Sequence, residues 1–127
     1  TGNQGINRAT GEYIVQLDSD DYFTDNFLTV MDMLDGTDMV YFDMISPNRE
    51  WKINESTKRG YYAAVKFIRR AFIGDTRCPQ MRHAEDWHFY RALLAKTPTE
   101  VFTGITVKHY NYPRVGSLTW ELLHEQQ

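Results

Sequence analysis

The sequence predicts an α/β fold, and three observations carry that prediction. Two short runs rich in strand formers, Tyr13-Ile14-Val15-Gln16-Leu17 and Met39-Val40-Tyr41-Phe42, have the length and composition of buried strands. Other segments space their apolar residues three and four apart, as an amphipathic helix requires. The two kinds of segment interleave along the chain, which points to mixed α/β architecture. A chain of 127 residues buries about two-thirds of its surface, so a core forms without staples. No repeat, low-complexity stretch or Pro/Gly/Ser linker divides it, so residues 1–127 read as one unit.

The elements follow in order. Asn3 to Thr10 reads as the tail of a helix, with Ile6 and Ala9 three apart, and Gly11 ends it. The first strand leads directly into Asp18-Ser19-Asp20-Asp21. Thr24 is an N-cap for a helix whose stripe is Phe27, Val30, Met31 and Leu34, with Gly36 as its stop. The second strand is Met39 to Phe42. Ser46 to Gly60 is polar; Trp51 and Ile53 alternate and Asn54-Glu55-Ser56 suits a turn, which predicts a small hairpin. Tyr61 to Phe72 has helical spacing at Tyr61, Ala64, Val65, Ile68 and Phe72. Asp86 to Leu94 has it at Trp87, Tyr90, Leu93 and Leu94. Val101 to Tyr110 alternates in the Ile105, Val107, His109 register and reads as a strand.

Composition narrows function. Hydrophobic residues are 42% and aromatics 14%, which argues against disorder. A net charge of −3 gives no support to nucleic-acid binding. The single cysteine, Cys78, excludes an internal disulfide and a cysteine-based zinc cage. No apolar run is long enough to span a membrane, and Thr1-Gly2-Asn3-Gln4-Gly5 is no signal peptide. A reducing, cytoplasmic setting is expected, and Asn54-Glu55-Ser56 then matches a glycosylation sequon by chance.

Three carboxylates within four residues repel one another unless a cation or hydrogen-bond donors compensate them. Their place matters more than their number, because ligands of open α/β sheets bind outside the carboxyl ends of strands. Hard oxygen ligands there suit Mg²⁺ or Mn²⁺ carrying nucleotide phosphates. The bland alternative is a solvated turn whose aspartates cap the next helix. A calcium loop fails by spacing, since counting from Asp18 puts Phe23 where Gly is required and Thr29 where Glu is required.

Asn3-Gln4-Gly5-Ile6-Asn7-Arg8-Ala9-Thr10-Gly11-Glu12-Tyr13-Ile14, leading into Leu17-Asp18-Ser19-Asp20-Asp21, resembles the central signature of family 2 glycosyltransferases. The resemblance implies a GT-A fold, a nucleotide-diphospho-sugar transferase α/β sandwich with a mixed sheet. It implies Asp20 as the ligand of Mn²⁺ or Mg²⁺ and Asp18 as a nucleotide contact, with Asp21 a less defined third member. Ala84-Glu85-Asp86-Trp87 resembles the family's Glu-Asp-Trp motif, which implies Asp86 as general base and Glu85 as an acceptor-positioning or structural partner. On the residues alone, Glu85 and Asp86 suit the dipole of a helix start. Trp87 is either an acceptor contact or core. Tyr110-Asn111-Tyr112-Pro113-Arg114 through Ser117-Leu118-Thr119 resembles the family's late segment near the donor diphosphate, where the guanidinium of Arg114 would pair with phosphate.

Lys66, Arg69 and Arg70 fall at helical spacing and read as a solvated helix face, with attraction of phosphates or of an anionic membrane surface as the alternative. His83, His88, His109 and His124 form no recognised metal pair; His109 reads as a strand-end or surface histidine. The resemblance covers nearly the whole chain but only the later part of the family's catalytic domain. Strands that would bind the nucleotide base are expected upstream of Thr1. Without them the sheet exposes an edge open to self-association. The function expected is metal-assisted, inverting transfer from a nucleotide-diphosphate sugar to the hydroxyl of a saccharide or lipid-linked acceptor, at the inner face of the membrane or free in the cytoplasm. A non-catalytic glycosyltransferase-like module that binds a sugar or a partner, and a nucleotidyltransferase, are the alternatives.

Overall fold

A computed structural model describes residues 7–8, 11–17, 21–60, 65–79 and 85–110, with 85–86 described as backbone alone. Six strands form one sheet: β1 (Tyr13–Val15), β2 (Tyr22–Phe23), β3 (Met39–Ser46), β4 (Arg49–Trp51), β5 (Lys66–Arg69) and β6 (Glu100–His109). Among the described residues the sheet is accompanied by α1 (Asn26–Met31), α2 (Arg70–Ile73) and α3 (Glu85–Leu94), a helical pair at Asn7-Arg8, and a tight turn at Lys58–Gly60. The strand order is β1-β5-β3-β6-β2, and β4 folds back on the end of β3. The β3–β6 pair is parallel, and the other four pairs among the described residues are antiparallel.

β3 is the middle of the sheet. Met39 to Met44 is buried without a break, including Asp43. A strand paired on both sides and covered on both faces needs this continuous run rather than an alternating one. Beside it β6 bulges: Tyr41 faces Phe102, while Asp43 faces Thr106. Gly104 sits inside the bulge at φ +67°, a conformation a β-carbon would strain. A small hairpin is present and buries Trp51, but it turns at Pro47-Asn48, with Ser46 pairing Arg49; Asn54-Glu55-Ser56, the turn expected, leads into the tight turn at Lys58–Gly60 and not into a returning strand.

Several expectations change. β1 is half-buried rather than buried, because among the described residues it pairs only with β5; Leu17 beyond it is exposed. The helix after the acidic turn is shorter than its stripe. Val30 is buried and Phe27 and Leu34 pack on the core, but Met31 is exposed and the helix ends there. Its N-cap is Asp25, which makes no capping bond, while the Thr24 hydroxyl accepts the Asn26 N–H at 3.3 Å.

The predicted helix from Tyr61 to Phe72 is the clearest correction. Residues 61–64 lie outside the described set, Lys66–Arg69 is β5, and only Arg70–Ile73 is helical. Val65-Lys66-Phe67-Ile68 suits a strand as well as a helix, and a place between β1 and β3 gives its backbone partners on both sides. Lys66 is consequently fully buried, not on a solvated face. The predicted helix tail before Gly11 falls largely outside the described residues.

Asp38 ties three strands at one end of the sheet. Its carboxylate accepts Nε and Nη2 of Arg69, the last residue of β5, at 3.0 and 2.7 Å, and the Thr99 N–H, before β6, at 3.0 Å. Its own N–H donates to the Thr99 hydroxyl at 2.8 Å. Burial pushes this carboxyl up, but the bonds from Thr99 and Arg69 outweigh it and hold it below the usual aspartate range. A carboxyl depressed in the folded state adds stability that is complete above its unfolded value, about 3.9, and is lost as pH falls through the folded value. Asp38→Asn should therefore lower stability at pH 6 and flatten the acid loss below about pH 4. Urea unfolding of both proteins between pH 6 and 2.5 checks this; parallel acid limbs would show that Asp38 is not the clamp.

Candidate active site

Pairing directions place the acidic turn. β1 is antiparallel to β5 and β5 to β3, so β1 runs with β3 and with the parallel β6. The turn after β1 therefore lies at the carboxyl end of all three strands, where α/β sheets bind ligands. Asp18 and Asp20 lie outside the described residues, but the flanks of their turn are fixed. On the far side Tyr22 pairs with His109 and Phe23 with Lys108. The Thr24 N–H donates to the Val107 carbonyl at 2.6 Å, and its hydroxyl to the Thr106 carbonyl at 2.8 Å.

Lys108 sits between the two flanks, fully buried. Its ammonium lies 3.4 Å from the Gln16 carbonyl before the turn and 3.8 Å from the Asp21 carboxylate after it. The Asp21 side chain is 2% exposed. One of the three clustered carboxylates thus turns into the protein and meets a cation there. Pairing with that cation lowers the repulsion in the turn. A divalent ion shared with ligand phosphates takes only one or two protein carboxylates, and Asp18 and Asp20, which would supply them, lie outside the described residues. Among the described residues no group of three His, Cys, Asp or Glu converges as a metal cage.

The second acidic pair, Glu85 and Asp86, opens α3. Two contacts give the direction of this helix. Tyr90 meets Tyr41 of β3, and further on Lys96 donates to the carbonyls of Phe72 and Ile73, beyond the amino end of β3. α3 therefore runs against β3, and its first turn lies toward the carboxyl end of the sheet. The topology brings the two acidic segments to the same end.

What holds α3 is partly polar. Phe89, Tyr90 and Leu93 are buried in the core. The Tyr41 and Tyr90 hydroxyls are 2.5 Å apart, and Tyr41 donates to Glu100 at 2.6 Å. Tyr41 has one proton and the carboxylate takes it, so Tyr90 is the donor in the shorter bond. Burial, then the bond to Glu100, holds the Tyr41 hydroxyl far above the phenol range, and burial raises Tyr90 as well. Both stay protonated donors. Glu100 accepts Lys58 Nζ at 2.8 Å. Burial alone would lower the Lys58 ammonium, but its bonds to Glu100 and Glu55 outweigh that and raise it. The buried Lys66 ammonium lies 3.9 Å from the centre of the Tyr90 ring and 5.3 Å from that of Tyr41.

Trp87 is half-buried, packed on the core and edge-on to Tyr90 at 6.3 Å. Arg114 lies outside the described residues. His109 stacks on Tyr22 at 4.5 Å, one residue beyond Asp21. Sequence reading missed Lys108, Tyr41, Glu100 and Lys58 as site-building residues. Lys66 left a usable signal, a lysine inside an apolar run.

Comparisons with known proteins bear on the family and the fold. The family model described as Glycosyl transferase family 2 matches residues 2–104, which include both acidic segments. Among solved structures, S. aureus TarS residues 1–349 superposes with a TM-score of 0.68 at 18% identity, covering 87% of this chain and 39% of that one. The same fragment in complex with UDP-GlcNAc gives a TM-score of 0.71 at 18% identity, covering 93% and 39%. A longer TarS chain gives 0.70 at 19% identity, covering 86% and 23%. This chain thus spans well under half of the TarS chains it resembles, and the likeness is one of fold. No curated protein sequence matches it significantly.

The Lys108–Asp21 pair yields a stability prediction. Removing one partner of a buried ion pair costs about 3–5 kcal/mol, because the other charge stays buried. Lys108→Met should lose that amount, and Lys108→Met with Asp21→Asn should recover part of it. Denaturant unfolding of the full-length protein measures both; a loss below about 1 kcal/mol in Lys108→Met would mean that the pair does not secure the turn.

Proposed function

This chain belongs to glycosyl transferase family 2, and from that premise we propose that its parent protein transfers a sugar from a nucleotide-diphosphate donor to an acceptor hydroxyl. One observation supports the reading: the family match includes both acidic segments, and β1, which leads into the first, runs with β3, while α3, which the second opens, runs against it. The TarS structures with UDP and with UDP-GlcNAc support a uridine-diphosphate sugar as the first donor to test.

In this reading Asp20 holds Mn²⁺ or Mg²⁺ together with the donor diphosphate, and Asp18 contacts the nucleotide. The ion, when bound, neutralises charge on the leaving diphosphate. Lys108 keeps Asp21 out of the ligand set and fixes the flanks of the turn. Asp86 takes the proton of the acceptor hydroxyl as its oxygen attacks the anomeric carbon. The bond from that carbon to the diphosphate oxygen breaks with its electron pair on the nucleotide. A single displacement of this kind inverts the anomeric centre. Glu85 and Trp87 shape the acceptor side, and Arg114 pairs with phosphate. The acceptor is a saccharide or a lipid-linked molecule, which suits a protein working in the cytoplasm, either free or at the inner face of the membrane. No helix among the described residues is long and apolar enough to cross a membrane.

Two pairs of variants of the full-length protein divide the labour. Asp20→Ala should abolish metal-dependent turnover, whereas Asp25→Ala, whose charge only complements a helix start, should change it little. Asp86→Asn should lower the rate by about 10²–10⁴-fold with donor affinity retained, and Glu85→Gln should cost less. Initial rates at saturating donor and calorimetric donor titration check this. Equal losses in Asp20→Ala and Asp25→Ala that track unfolding would reduce the acidic turn to a helix cap. Collapsed donor binding in a folded Asp86→Asn protein would move Asp86 to the donor site.

A further inference from the structure

Five polar side chains from five elements meet around Tyr90 of α3: Lys66 from β5, Tyr41 from β3, Glu100 from β6, Lys58 from the tight turn, and Tyr90 itself. Tyr41, Tyr90 and Lys66 are fully buried and Lys58 is nearly so. We infer that Tyr41, Tyr90 and Lys66 are positioning residues that fix the rotation and register of α3 on the sheet, and so the place of Asp86 one turn upstream of Tyr90. The inference rests on the reading of Asp86 as the base.

Apolar packing alone does not supply this. Phe89 and Leu93 bury the helix, but such contacts are non-directional and tolerate small rotations. The hydroxyl chain is directional, with links of 2.5 and 2.6 Å, and it ends on a carboxylate held by Lys58. The Tyr90 ring is further held by the Lys66 ammonium 3.9 Å away. A rotation of α3 by about 20° would swing a hydroxyl roughly 9 Å from the helix axis by about 3 Å, breaking the chain. The same rotation displaces the backbone of the first turn by nearly an ångström, and such misplacement can cost about 10²-fold in rate. Burying two hydroxyls is expensive unless each is hydrogen-bonded; both are bonded here, and a buried chain of this kind specifies one arrangement of the elements it joins.

The test uses full-length protein, Mn²⁺ and UDP-GlcNAc as the probe, with water as acceptor and UDP release as the signal. Tyr90→Phe removes one oxygen and keeps the ring, so folding is not at risk. It should lower kcat about 10- to 100-fold while the KM for UDP-GlcNAc stays within about 2-fold. Tyr41→Phe and the double variant should lose no more than the worse single change, as expected of groups acting as one unit. Lys66→Met should show the same split between kcat and KM. Hydrogen exchange, which needs no substrate, should show α3 amides exchanging about 10-fold faster in Tyr90→Phe with those of β3 and β6 unchanged. Unchanged kcat and unchanged α3 exchange in Tyr90→Phe would overturn the inference. So would a loss that tracks global unfolding, with kcat and KM moving together. Asp86→Asn is run beside them: a normal rate there overturns the base reading and this inference together, whereas loss there with an unaffected Tyr90→Phe overturns this inference alone.

Discussion

A lysine with no exposed surface cannot keep its charge in an apolar core at tolerable cost unless oxygens or aromatic faces surround it. This sheet contains two such residues, Lys66 and Lys108. Much of the arrangement around them follows from how they are accommodated. Lys66 gathers Tyr90 and Tyr41, and through Tyr41 the Glu100–Lys58 pair, so that α3, β3, β5, β6 and the tight turn share one polar knot. Lys108 draws in Gln16 and Asp21, closing the two sides of the acidic turn on β6.

The two knots lie on the routes to the two acidic segments. Directions in the sheet carry β1, β3 and β6 toward one end, and α3 runs back from that end. On the proposed reading, one segment holds the diphosphate and the other takes the acceptor proton, each fixed from below by a buried cation. The opposite end is closed by Asp38, Arg69 and Thr99, a clamp with no part in the proposed chemistry. Stability and chemistry are thus separated along the strands, as expected where loops at the carboxyl ends carry function.

Local signals in the sequence are informative where they are unambiguous. Strong strand formers mark β1 and β3, helical spacing marks α3, and alternation marks β6. The family is legible through resemblance, carried by Asn3 to Ile14 leading into Leu17 to Asp21 and by the Glu-Asp-Trp segment after it in order. The failure at Tyr61 to Phe72 has a physical reason. Apolar residues at Val65 and Ile68 satisfy both a helical stripe and a short strand, and pairing with β1 and β3, remote in sequence, decides between them. The same ambiguity hides Lys66, whose burial is a property of the sheet. Lys108 is hidden because the Ile105, Val107, His109 register assigns it to the opposite face, whereas both Val107 and Lys108 are buried. Partners such as Tyr41 and Glu100, 59 residues apart, are joined by tertiary contact and leave no local pattern.

The division of labour between the two acidic segments is tested most directly by a crystal structure of the full-length protein with Mn²⁺ and a non-hydrolysable UDP-GlcNAc analogue. The anomalous signal of manganese locates the ion independently of the protein. On this account the ion is bound by Asp20 and the donor diphosphate, and the Asp86 carboxylate faces the anomeric carbon from the side opposite the leaving oxygen. Manganese held elsewhere, or an Asp86 carboxylate bound to the ion or remote from the sugar, would contradict it.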